Sequence, residues 1–205
     1  WSSPAIAGAM PASWNAADPT EQANEYSLIE SGMATAQGGA ILAAERLRNS
    51  LLIYKQNEVW EMSYVGGQVV FGFNRVISSI GALGPHAVCK FLEKQEMHFA
   101  AGVDDIVVHN GQSTQSILND RVRRWLYNQI DPNYFHRCFS VPNPAYNEVW
   151  FCYPELGYEQ PNIALVWNTQ SGAIGFRDLL KVSDGRVART TAATRGTPHI
   201  NLGVV

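Results

Sequence analysis

The chain has 205 residues, 46% hydrophobic and 16% charged, with a formal net charge of −3. That apolar fraction can bury a real core, as one large domain or two small ones, and excludes a disordered chain. No run of about 18 apolar residues occurs, which excludes a membrane-spanning helix. Beginning at Trp1 with no Met start and no basic-then-apolar leader, the sequence reads as a fragment or a chain lacking its N-terminus. Charge is uneven: residues 1–30 carry four acids and no Lys or Arg, whereas residues 171–205 carry five basic residues against Asp178 and Asp184. Without a strongly basic domain, nucleic-acid binding is disfavoured as the main task.

Residues 1–38 read as a loop or arm. Ser3-Pro4, Asp18-Pro19 and small residues dominate, and Trp1 and Trp14 are large rings that would anchor the segment on a neighbouring surface. From Gly39 the pattern becomes short apolar runs: Ile41 to Leu47, Leu51 to Tyr54, Val59 to Val65 and Val69 to Val76, the last two separated by Gly66-Gly67, a hairpin signal. Ala87 to Leu92, Glu96 to Ala100 and Ile106 to His109 follow, with Asn110-Gly111 as a type I′ turn candidate. A helix capped by Asn119 or Asp120 is expected to run to Ile130, where Asp131-Pro132 stops it. Val122, Trp125, Leu126 and Gln129 would form its stripe. Strands resume at Phe135 to Val141, Val149 to Tyr153, Ile163 to Trp167 and Ile174 to Leu179.

Asn57-Glu58-Val59-Trp60 recurs as Asn147-Glu148-Val149-Trp150, a spacing of 90 residues. Two units of 45 fit between them, with Gly102 to Val108 as the corresponding turn and strand of a middle unit. Repeats of ~40–45 residues with four strands each are the signature of propeller blades. The expected fold is therefore all-β, a β-propeller of four-stranded blades with one inserted helix. About three blades would span 39–182, with the helix near 120–130, and 183–205 would be an extended tail or the start of a further blade.

The run Asn147 to Glu155, then Asn162 to Asn168, then Gly172 to Asp178 resembles a blade of the tail hub or tail nozzle proteins of short-tailed (podovirus-like) phages. Those proteins carry an NEVWF-YP … ALVWN … RDL series in a β-propeller. Leu52 to Lys55 followed by Glu58-Val59-Trp60 is similar to their preceding blade, and Asp104 to Gly111 to their GxDDIYVHDG turn. The likeness covers roughly residues 40–180. It implies a structural virion protein of the phage tail, a homo-oligomeric ring below the portal and adaptor rings that continues the DNA exit channel. Its partners would be other tail proteins and DNA in transit, bound without sequence specificity. The departure is size, roughly four blades' worth of chain against the six to eight common in closed propellers.

No catalytic, metal-binding or cofactor-binding constellation emerges from the sequence, and the expectation is a protein that is not an enzyme. Asp104-Asp105 could offer carboxylates to Ca²⁺, but the alternating ligands of a calcium loop are missing and a blade-joining turn fits better. Glu58 and Glu148 could form the carboxylate pair of a glycosidase. As equivalent residues of blades two apart they would instead be separated surface groups. His86, His98, His109, His136 and His199 never stand at metal-ligand spacing, and no GxSxG, GxGxxG or Walker loop occurs. Cys89, Cys138 and Cys152 read as small buried hydrophobes in a reducing compartment or an assembled particle. Arg121, Arg123 and Arg124 form the dense basic cluster, expected on an outer rim or against a neighbouring subunit and not in a DNA channel, where phosphate contacts would stall ejection. Trp60, Trp150 and Trp167 are expected between blades. The competing reading is a carbohydrate-binding or glycan-hydrolysing β-propeller.

Overall fold

A computed structural model of the protein describes residues 9–18, 25–28, 38–66, 70–91 and 96–179. The chain divides into two compact units, Trp1–Gln37 and Gly38–Val205. In the first, the Asn15 side-chain oxygen accepts from the Ala17 amide and the Asn15 amide donates to the Ser13 hydroxyl, closing a local turn. Trp14 beside them is 69% exposed. Trp1, His199 and the tail from 183 onward lie outside the described residues, as does Gly67 of the expected Gly66-Gly67 hairpin.

The second unit is mostly β. Its described residues form three four-stranded antiparallel sheets, each ordered as the chain runs. The first sheet holds β1 (Ile41–Leu47), β2 (Ser50–Lys55), β3 (Val59–Tyr64) and β4 (Phe71–Ile77). The second holds β5 (Val88–Phe91), β6 (Met97–Ala101), β7 (Ile106–His109) and β8 (Thr114–Ser116). The third holds β9 (Phe139–Asn143), β10 (Glu148–Tyr153), β11 (Ile163–Asn168) and β12 (Ile174–Asp178). The leading strands adjoin one another, β1 beside β5 and β5 beside β9.

Alternation of side chains along each strand explains the stacking. Ala100 and Val107 of the second sheet pack with Leu47, Leu52, Tyr54, Val59 and Ile77 of the first. Their sequence neighbours Phe99, Ala101, Ile106 and Val108 point the other way, into a core shared with Val149, Phe151, Tyr153, Ile163, Leu165 and Trp167 of the third. The second sheet is thus the middle layer, buried on both faces. This is why Phe99–Ala101 and Ile106–Val108 read as unbroken apolar runs instead of alternating ones.

The helix, α1 (Asp120–Gln129), is capped by Asn119, whose side chain accepts from the Val122 amide. Leu126 is fully buried, and Val122 and Tyr127 complete its contact with the core. Trp125, expected on that stripe, is 43% exposed and meets Phe176 edge-on at 4.6 Å. Tyr127 donates to the Gly102 carbonyl, fastening the helix to the β6–β7 turn. The strand expected from Phe135 begins only at Phe139. Pro132–Arg137 instead forms a 3-10 segment, capped by the Asp131 side chain, which accepts from the Asn133 amide. Proline fixes φ for such a turn and the Asx cap holds it.

The Asn-Glu-Val-Trp identity does not fall at equivalent places. Asn57–Trp60 leads into β3, the third strand of its sheet, whereas Asn147–Trp150 leads into β10, the second strand of its own. A different pair is in phase. Asn110-Gly111-Gln112-Ser113 and Asn168-Thr169-Gln170-Ser171 both join a third strand to a fourth. In each, the Asn side-chain oxygen accepts from the amides two and three residues on and from the Ser hydroxyl. Glycine follows the chain into the left-handed region in both turns, at Gly111 (φ 87°) and Gly172 (φ 72°). Asn110 has no positive φ, so this is an Asx-closed turn and not the expected type I′.

The three tryptophans are buried, Trp60 at 4%, Trp150 at 6% and Trp167 at 8% exposure. Trp167 alone lies between sheets, edge-on to Phe91 at 5.4 Å and tilted against Phe99 at 6.2 Å. Trp60 and Trp150 project from the faces of the first and third sheets that point away from the middle layer, which corrects the expectation for those two. Trp167→Ala should therefore open a cavity in the shared core and cost about 3–5 kcal/mol, read as a lowered urea midpoint with an unchanged m-value.

Candidate functional site

Strand alternation puts residues i and i+2 on one face, so the Glu and Trp of each Asn-Glu-Val-Trp segment are neighbours. The consequence is the same contact twice. Trp60 Nε1 donates to Glu58 Oε1 at 2.9 Å, and Trp150 Nε1 donates to Glu148 Oε2 at 2.9 Å. An arginine from the last strand of the sheet joins each pair. Arg75 Nη1 lies 3.6 Å from Glu58 Oε2, and the Arg177 guanidinium lies 5.1 Å from the Trp150 ring centre. The two outward faces of the stack therefore carry matching Glu–Trp–Arg groups, one at each end.

The two differ in burial. Glu58 is buried, and Lys55 Nζ, itself buried, donates to Glu58 Oε1 at 2.6 Å. Burial alone would raise the Glu58 carboxyl. The hydrogen bonds from Lys55 and Trp60, with the charges of Lys55 and Arg75, outweigh it and hold the group below its usual range. Gly81 makes room for this corner: a Cβ there would run into the Lys55 carbonyl oxygen, which accepts from the Ala82 amide. Glu148 is half-buried, and Arg177, which lies over the Trp150 ring, is exposed. The middle sheet separates Glu58 from Glu148. They do not converge, and each is held by its own tryptophan.

Asp105 is drawn inward. Its Oδ1 accepts from the Ile106 amide at 2.8 Å and the Ser116 hydroxyl at 2.9 Å, with Arg123 Nε at 3.6 Å. Asp104 stays exposed, so the two carboxylates diverge at the β6–β7 turn that Gly102 and Asp105 close by a backbone hydrogen bond. Among the described residues, no group of three or more His, Cys, Asp or Glu side chains is placed to hold a metal ion. The helix arginines separate by role. Arg123 pairs with Asp120 at 2.9 Å and reaches Asp105, Arg124 donates to the Asp120 carbonyl, and Arg121 is exposed.

Cys89, Cys138 and Cys152 are free and buried. Burial pushes the Cys138 thiol up to about 12 and raises the other two further, so all three stay protonated at neutral pH. His86 and His136 are exposed and apart from the cores. His98 and His109 face each other across β6 and β7 and meet at the Tyr54 hydroxyl. That cluster draws on two sheets and three strands, and no spacing in the sequence announces it. Among the described residues, no helix is long and apolar enough to cross a membrane. The chain matches no protein-family model and no curated protein.

The two carboxylates should respond unequally to loss of charge. Glu58→Gln should destabilise by about 2–3 kcal/mol, because a buried charge-assisted contact is lost. Glu148→Gln should cost under ~1 kcal/mol, because the amide oxygen still accepts from Trp150. Glu58 is lowered in the folded state, so its contribution is present above the unfolded value of about 4.3 and is lost as pH falls through the folded value. Urea titrations at pH 7 and pH 3 should show the gap between wild type and Glu58→Gln closing at the lower pH.

Proposed function

We propose that the chain is a structural ring subunit of a short-tailed phage tail, a β-propeller hub or nozzle protein that continues the DNA exit channel below the portal and adaptor rings. The observation that carries this reading is the side-by-side stacking of three four-stranded meanders with their leading strands β1, β5 and β9 adjacent. Consecutive propeller blades stack in this way, with the first strand of each nearest the axis. The Asx turns between third and fourth strands of two sheets add an in-phase sequence repeat. The polar groups that sequence reading singled out as candidate chemistry, Glu58, Glu148 and Asp105, are committed to holding strands and helix together. That supports a role in assembly without catalytic turnover. Arg123 and Arg124, engaged by Asp105 and Asp120, support a place for the helix away from a phosphate-lined channel.

A second reading, a carbohydrate-binding or glycan-hydrolysing propeller, draws on one observation. Trp125 and Phe176 form an exposed aromatic pair of the kind on which a sugar ring can stack.

Mass photometry and cryo-electron microscopy of the purified protein separate the two. The tail reading expects closed homo-oligomeric rings and the same density in a virion tail, with Arg121, Arg123 and Arg124 off the lumen. A monomer that cleaves or retains a glycan, and loses that property on Trp125→Ala, would sink it in favour of the second.

A further inference from the structure

The first and middle sheets are joined by a buried polar chain as well as by apolar packing. Tyr54 Oη lies 2.7 Å from His98 Nδ1 and 2.8 Å from His109 Nε2, and all three side chains are fully buried. The outer ends of this chain fix its proton positions. His98 Nε2 lies 3.1 Å from the Arg46 carbonyl oxygen, which can only accept, so Nε2 carries the proton and Nδ1 is a lone pair. The Gly111 amide donates to His109 Nδ1 at 3.3 Å, so that nitrogen is a lone pair and the proton sits on Nε2. Between them, Tyr54 has one arrangement open to it. Its oxygen accepts from His109 Nε2–H, and its hydroxyl donates to His98 Nδ1. Four hydrogen bonds thus run in a single direction, from the Asn110–Ser113 turn through Tyr54 to the end of β1.

We propose that this one-way Tyr54–His98–His109 chain is an acid-sensitive latch that holds the first sheet to the middle sheet and releases it when either imidazole takes a proton. A proton on His98 Nδ1 sets two N–H groups against the Tyr54 oxygen and leaves the hydroxyl hydrogen without its acceptor. A proton on His109 Nδ1 opposes the Gly111 amide, donor against donor. The rings are 5.6 Å apart, so a charge on one also opposes a charge on the other.

The charged and titratable groups around the cluster come from four elements. They are Glu45 of β1, Arg48 of the β1–β2 turn, Cys89 and Lys90 of β5, and Glu96 before β6. Glu96 is already shared between Lys90 at 3.2 Å and Arg48 at 4.0 Å, so it is a weak partner for a new imidazolium. Burial accordingly holds both rings neutral. His98 is lowered to about 4 by burial, which with Lys90 outweighs the Arg46 carbonyl and Glu96, and His109 to about 3 by burial and then by His98. Released imidazoles take up protons near 6.5. Below that pH the open state binds more protons than the closed one, so closure weakens as pH falls and is lost progressively toward the folded values. Neither His98 nor His109 faces the apolar core between the middle and third sheets, which Phe99, Ile106, Phe151 and Leu165 fill, and β10 and β11 there are the internal control.

The latch does not depend on the tail reading, and its test uses the full chain in solution. At pH 7, ring ¹⁵N spectra should show both histidines as Nε2–H tautomers, with no titration near 6.5. Between pH 7 and pH 4.5, hydrogen exchange corrected for intrinsic rates should show opening of β1 and β2 rising on the order of 10³- to 10⁴-fold, roughly tenfold per pH unit below about 6.5 for each imidazole. Exchange in β10 and β11 should change far less. The pair His98→Asn with His109→Gln keeps an acceptor and a donor toward Tyr54 without a titrating ring, and should flatten the response of β1 and β2. An Nδ1–H tautomer, titration near 6.5 with unchanged exchange, or equal loss of protection in β2 and β10 would each overturn the proposal. If the double variant does not fold, the tautomer and the comparison of β2 with β10 in the wild type decide alone.

Discussion

Burial of the middle sheet on both faces is the constraint from which the rest of this unit follows. A four-stranded meander has two faces, and in β6 and β7 both are apolar: Phe99 and Ala101 on one side, Ala100 and Val107 on the other. Such a sheet cannot stand against water and needs a layer on each side. The first and third sheets supply those layers and in turn present outward faces of their own. Stacking of this kind generates an end wherever it stops. At both ends here the sequence places a tryptophan whose indole N–H is satisfied by a carboxylate two residues earlier on the same strand. The pairing lets a large ring be buried on a sheet face without leaving its donor unmet.

Strand placement was largely legible because most strands are written in short, mainly apolar runs bounded by turn residues. Ile41–Leu47 and Ile106–His109 begin and end where hydropathy alone puts them. The failures have local causes. β8, Thr114–Ser116, is polar and exposed throughout and is held by its ladder to β7 and the Ser116–Asp105 contact, so no apolar period marks it. Phe135 looks like the start of a strand by composition, but the Asp131 cap and Pro132 commit the preceding residues to a 3-10 turn. The expected helix stripe holds at Val122 and Leu126, but Tyr127 takes the core-facing place expected of Trp125.

The repeat was legible in the wrong letters. Asn-Glu-Val-Trp is conspicuous because Trp is rare, yet it recurs for a reason local to any strand, the i, i+2 contact, and so can fall on a third strand once and a second strand the next time. Asn-x-Gln-Ser is inconspicuous, but it closes the same connection in two sheets through the same side-chain oxygen, and that connection has a fixed place in a meander. A repeat that encodes a turn reports the phase of the architecture. A repeat that encodes a side-chain pair reports only the strand.

The polar interior divides along the same line. Contacts within a few residues, such as Lys55 to Glu58 or Asn119 to Val122, can be anticipated from spacing. Contacts that cross layers cannot. Tyr54, His98 and His109 are 44 and 55 residues apart along the chain in the pairs that bond, and only the register of β6 on β7 and the stacking of the first sheet bring them together. The same holds for Asp105, whose carboxylate waits on Ser116 from β8 and Arg123 from the helix. These cross-layer groups are the ones that make the stack specific, because apolar faces alone would tolerate sliding. A sheet slipped by one residue would keep most of its apolar burial but break the three bonds that join Tyr54 and the Arg46 carbonyl to His98 and His109. Conformational uniqueness between the first and middle sheets therefore rests on polar groups that include two imidazoles, and that makes this seam, unlike the one beside it where Ser140 bonds to backbone carbonyls, answerable to pH.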